Sequence, residues 1–111
     1  MVRYYFLIAT QSFLFEQEPI EEILRERVRH YQLLNKELDF SLTTNIDFLN
    51  QLDQQHIKNS FVSPAVAVIS VNPRFINWLK LRMQYVLTGS FSTSNLIEFS
   101  NLIQLKYNNY Q

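Results

Sequence analysis

Two stretches of this chain are apolar on both of the faces that a strand presents. In Val2-Arg3-Tyr4-Tyr5-Phe6-Leu7-Ile8-Ala9, successive side chains point to opposite sides. Tyr4, Phe6 and Ile8 on one side are nevertheless matched by Tyr5, Leu7 and Ala9 on the other. Ala65 to Val71 is a near-continuous apolar run, short enough for a strand buried on both faces. Such strands require an inner position, or a sheet with something packed on each face. The rest of the chain has to supply those coverings.

Residues 18–34 predict the clearest helix. Ile20, Ile23, Leu24, Val28, Tyr31 and Leu34 recur at three- and four-residue steps and form one apolar stripe. Glu18, Glu21 and Glu22 open the segment while Arg25, Arg27 and Arg29 come later, the order that the helix dipole favours. The charges read as a solvated face, with Glu21 and Arg25 an i,i+4 pair. Between this helix and the first strand, Phe13, Leu14 and Phe15 form an apolar patch expected to fold back onto the core.

A second helix is predicted from Pro73, running directly toward a strand at Val86–Phe91. Asn72 is a favourable N-cap, and Pro73 stands where a missing N–H is tolerated. Phe75, Ile76, Leu79, Met83 and Val86 fall in one arc, which also contains Arg82. Trp78 and Leu81 extend the apolar surface beyond a single core-facing stripe. Two readings fit Arg82: its head snorkels to water or pairs with a buried carboxylate, or it joins Trp78 on a surface that receives a partner.

Leu38, Phe40 and Leu42 alternate with Asp39, Ser41 and Thr43, which predicts a half-buried edge strand with one polar face. Asn45 is expected to cap a short helix, residues 53–60 to form a polar loop, and Ser94 or Asn95 to cap a last helix. Gly89, the only glycine, suggests a bulge or a close backbone approach. The 111 residues make one domain, 1–111, with a frayed tail at 107–111. The expected fold class is α+β: about four strands in a mostly antiparallel sheet, with helices packed on it.

Composition narrows the function. Ten Lys and Arg balance ten Asp and Glu, which argues against a nucleic-acid binder held by phosphate contacts. The chain has no Cys, so disulfides, thiol nucleophiles and thiolate metal sites are excluded. No apolar run is long enough for a transmembrane helix, and neither a signal peptide nor a transit segment is recognisable at the start. One glycine cannot build a phosphate-binding or dinucleotide loop. Glu26 and His30 share a helix face but lack the further ligands of a di-iron site. The residues alone describe a non-catalytic binding or helper domain, with neither metal nor cofactor expected.

Several segments together closely resemble a known family. They are Tyr4-Tyr5 with Ala9 and Gln11; Phe13-Leu14-x-Glu16-x-Glu18-Pro19 with Glu21-Glu22; Asn35-Lys36-Glu37-x-Asp39-Phe40; and Phe75-Ile76-x-Trp78-x-Lys80-x-Arg82-x-x-Tyr85-Val86-Leu87-Thr88-Gly89. The family is the small accessory protein of chlorophyll biosynthesis found in cyanobacteria and algal plastids, conserved chloroplast reading frame fifty-four. The resemblance implies a helper of the aerobic oxidative cyclase that converts magnesium-protoporphyrin IX monomethyl ester to protochlorophyllide. The partner it implies is the di-iron catalytic subunit, with other chlorophyll-biosynthesis enzymes at the thylakoid membrane as further candidates. It implies partner-site roles for Ala9, Asp39, Phe40 and Arg82, to which the residue pattern adds Trp78. Alanine at Asp39 or Phe40 is expected to weaken binding and leave the fold intact. An algal chain would work in the plastid stroma at the thylakoid periphery; a cyanobacterial one in the cytoplasm or at the thylakoid. The competing reading is a tetrapyrrole carrier whose aromatic pocket sets Arg82 against a propionate.

Overall fold

The doubly apolar strands take the middle of a sheet. In a computed structural model, residues 1–44, 64–83, 85–94, 97 and 99 are described. Their elements are β1 (Val2–Thr10), a π-helical turn (Phe13–Gln17), α1 (Ile20–Leu33), β2 (Phe40–Thr43), β3 (Ala65–Ser70), α2 (Pro73–Arg82) and β4 (Leu87–Thr93). The sheet order is β2-β3-β1-β4, and every neighbouring pair is antiparallel. The expected short helix after Asn45, the loop at 53–60 and the tail at 107–111 lie outside the described residues, as does most of the last helix expected from Ser94 or Asn95; residues 94, 97 and 99 are described and are not helical.

β1 and β2 both run opposite to β3, so they are parallel to each other and α1 connects them across the sheet. β3 and β4 both run opposite to β1, and α2 connects them in the same manner. Parallel strands require crossovers of this kind, and two interleaved β-α-β units give the split, ferredoxin-like arrangement.

Alternation along the inner strands sends side chains into two clusters. Leu7 and Ala9 of β1, Val66 and Val68 of β3, and Phe40 and Leu42 of β2 lie under the helices. Against them pack Ile20, Leu24, Val28 and Tyr31 of α1, and Phe75, Ile76 and Leu79 of α2. Phe13 and Leu14 of the π-helical turn are buried in the same cluster, so the apolar patch does fold onto the core. The opposite face carries Tyr4, Phe6, Ile8, Ala65, Ala67, Ile69 and Phe91, all buried.

Two boundaries and the burial of one strand face differ from the sequence reading. α1 stops at Leu33 in a Schellman-type end: the Asn35 N–H donates to the Gln32 carbonyl and the Lys36 N–H to the Tyr31 carbonyl. Asn35 takes the left-handed conformation there, φ 54°, one of the few non-glycine residues that adopts it readily. The turn carries Leu34 off the apolar stripe, leaving it 60% exposed. α2 ends at Arg82 because Met83 is extended (ψ 145°) and buried, so Val86 lies beyond the helix. β2 is an edge strand as expected, but its polar face is not wet: Ser41, paired with Ile69, is 4% exposed.

Candidate functional site

The start of α2 fixes one wall of the site. Asn72 Oδ1 accepts from the Arg74 N–H at 2.9 Å and the Phe75 N–H at 3.3 Å, the cap its position predicted. Ser70, fully buried at the end of β3, donates its hydroxyl to the Asp39 carbonyl at 2.8 Å and accepts from the Asn72 N–H at 2.9 Å. The Val71 N–H donates to the same Asp39 carbonyl at 3.1 Å. The entry to β2 and the cap of α2 are thereby joined through one buried serine whose hydroxyl both donates and accepts.

The other wall comes from α1. Tyr31 Oη donates to Asp39 Oδ1 at 3.0 Å, and Arg27 Nη2 donates to Tyr31 Oη at 2.8 Å. The Arg27 guanidinium lies 3.8 Å from the centre of the Phe75 ring, 5.0 Å from that of Tyr31 and 5.5 Å from that of Phe40. The rings also meet one another: Tyr31 and Phe40 edge to face at 5.7 Å, and Phe40 and Phe75 at 5.4 Å. Such contacts hold a partly desolvated cation against π faces, at about 0.5–2 kcal/mol each. Arg27 Nε is buried without a hydrogen-bond partner among the described residues, which leaves the rings and the Tyr31 hydroxyl to hold the group.

Between the helices, this floor opens into a cleft of about 400 Å³. Ile23, Glu26, Arg27 and His30 of α1 line one side, and Phe75, Trp78 and Arg82 of α2 the other. An adjoining hollow of about 300 Å³ shares Arg27, Phe75 and Trp78 and reaches Asn72 and Arg74. Trp78 is 48% exposed, stacked on Phe75 at 6.4 Å and 19°, with the Arg82 guanidinium 5.4 Å from its ring. The cleft therefore offers a ring and cations, the groups that anchor protein contacts. Among the described residues no three His, Cys, Asp or Glu side chains gather as a metal site would require.

The five residues singled out from the sequence divide into two sets. Trp78 and Arg82 face the cleft together. Arg82 is exposed on the Trp78 flank, so the reading in which it pairs with a buried carboxylate does not hold. Asp39 is half-buried behind the cleft and reaches it only through Tyr31. Ala9 is 0% exposed opposite Val66, and Phe40 is 1% exposed beneath Arg27. Direct partner contact through either of them does not fit this structure, nor does a Phe40→Ala change that spares the fold. Arg27 and Tyr31, read from the sequence as solvated charge and core stripe, are the residues that build the floor. Their spacing carried a signal: Arg27 stands four residues after Ile23 and four before Tyr31, on the margin of the apolar stripe.

Comparison with known proteins gives a consistent picture. A family model described as Ycf54 protein matches residues 2–93. A ycf54 protein of Porphyra purpurea is 50% identical over 94 residues, covering 85% of this chain and 87% of that one. A chloroplastic YCF54 protein of Arabidopsis thaliana is 35% identical over 97 residues, 86% of this chain and 45% of that one. The solved structure of the All0216 protein from Nostoc sp. PCC 7120 superposes with a TM-score of 0.79 at 47% identity, over 85% of this chain and 87% of that chain.

Proposed function

This chain belongs to the Ycf54 family, and from that premise we propose that it is a non-catalytic accessory protein of the oxidative cyclase that forms the fifth ring of protochlorophyllide. It acts by binding the di-iron catalytic subunit, and the α1–α2 cleft is the surface that does so. Relatives in Arabidopsis chloroplasts and in cyanobacteria support action beside photosynthetic membranes. Among the described residues no helix is long and apolar enough to cross a membrane.

The observation that carries the reading is Trp78. A large ring left half exposed, stacked on a buried Phe and beside an arginine, has the composition of an interface anchor. Asp39, Phe40 and Tyr31 serve the same function from behind, by fixing Arg27 and the N-terminal end of α2.

A pull-down of tagged protein from solubilised photosynthetic membranes tests the proposal. Wild type is expected to recover the di-iron subunit, and Trp78→Ala to recover severalfold less while remaining folded, with only a modest fall in melting temperature. Full recovery by Trp78→Ala would move the contact away from the cleft. Failure of wild type to recover the subunit would refute the accessory role.

A further inference from the structure

The cleft carries a charge that the chain as a whole does not. The sequence balances 10 Lys and Arg against 10 Asp and Glu. Around the two hollows, however, three arginines, Arg27, Arg74 and Arg82, stand against one acid, Glu26. The cations are also ordered. Arg74, Trp78 and Arg82 are four residues apart, so they follow one line along α2 at intervals of about 6 Å. Arg27 adds a third guanidinium in the floor, its position set by Phe75 and the Tyr31 hydroxyl.

We propose that the cleft takes an acidic segment of the partner protein. An apolar side chain of that segment sits on Trp78, and carboxylates one helical turn to either side meet Arg74 and Arg82. The inference rests on the accessory reading and specifies the chemistry of the partner's contact. A guanidinium fork matches a carboxylate in two parallel hydrogen bonds, and a segment seated on Trp78 would itself shield each pair from water. Cations spread along a helix suit carboxylates on successive turns of a polypeptide.

Trp78 is the only tryptophan in the chain, so 7-azatryptophan incorporated at that position, excited to the red of ordinary tryptophan, reports the cleft apart from any tryptophan of the partner. The experiment titrates the full chain with purified di-iron cyclase subunit in detergent, at low and at high salt. A saturable change in Trp78 emission is expected, with affinity falling as salt rises. Arg74→Glu and Arg82→Glu should each raise the Kd by about tenfold or more, because like charges then face each other. Lys80→Glu, the same reversal away from the cleft lining, should leave the Kd within about twofold. Carbodiimide treatment of the complex made with Arg82→Lys should give a covalent product joined to an Asp or Glu of the subunit. Binding with unchanged Trp78 emission and no effect of either reversal overturns the acidic-segment proposal and leaves the accessory role standing. Absence of any binding by wild type overturns both. Quenching of Trp78 by a magnesium porphyrin carrying free propionates, weakened by the same two reversals, overturns the proposal in favour of a pigment carrier.

Discussion

The two faces of the sheet are built from the same strands and do different things. On one, Tyr4, Phe6, Ile8, Ala65, Ala67, Ile69 and Phe91 pack against each other. Tyr4 stacks on Phe91 at 5.5 Å, and its hydroxyl accepts one hydrogen bond, from the Ile97 N–H. On the other, a comparable apolar layer is crossed by a polar thread running from Arg27 through Tyr31, Asp39 and Ser70 to Asn72. The first face holds the fold together. The second does so too, and its thread sets the position of a surface cleft. A core residue under the helices is therefore coupled to the surface, whereas among the described residues no such thread crosses the opposite face.

Truncation in each layer tests that difference, beginning with the largest effect. Phe6→Ala removes a fully buried ring from the opposite face and should cost about 3–5 kcal/mol in urea unfolding. Partner affinity per folded molecule should not change. Phe40→Ala should cost a similar amount and also weaken partner binding, because Phe40 lies under Arg27. Equal binding defects in the two variants would erase the distinction between the faces.

Single hydroxyls sharpen the comparison at a smaller scale. Tyr31→Phe takes away the group that joins Arg27 Nη2 to Asp39 Oδ1. The loss should be about 1–3 kcal/mol, since a charged donor and a charged acceptor both lose a partner. Partner binding should weaken with it. Tyr4→Phe removes one neutral hydrogen bond from the opposite face and should cost about 1 kcal/mol without touching binding. A Tyr31→Phe protein that binds as wild type would show that the thread is structural only. Asn72→Ala should cost about 1 kcal/mol through the lost cap of α2. It should also weaken binding, because α2 carries Trp78.

The sheet was readable from the sequence because its inner strands are apolar on both faces, a pattern that allows few placements. The cap of α2 was readable for the same kind of local reason: Asn before Pro at the start of a periodic run. What escaped depended on packing between distant segments. The extended backbone of the buried Met83 ends α2 before Val86. Ser41 reads as wet from alternation alone and is buried at its pairing with Ile69. Of the site, Trp78 and Arg82 stood out because they are unusual on a helix face. Arg27 looked like any charge on an amphipathic helix; the rings of Phe40 and Phe75, contributed by β2 and α2, and the Tyr31 hydroxyl mark it out in the structure. The partner roles of Asp39 and Phe40 came from resemblance, and the structure gives them supporting positions.

Arg82→Ala has the smallest expected effect on stability and the most direct bearing on the comparison. The guanidinium is exposed and lies 5.4 Å from the Trp78 ring, so its removal should cost no more than about 0.5–1 kcal/mol. The core beneath keeps all its contacts, and the melting temperature should scarcely move. Partner recovery should nevertheless fall as far as it does for Tyr31→Phe, whose effect arises from behind the same cleft. Stability and binding would then rank the variants in opposite orders: Phe6→Ala damages only the first, Arg82→Ala only the second, and Tyr31→Phe both. If Arg82→Ala instead lowers the melting temperature in proportion to its loss of binding, the cleft is no separate surface, and the two faces of the sheet differ only in what covers them.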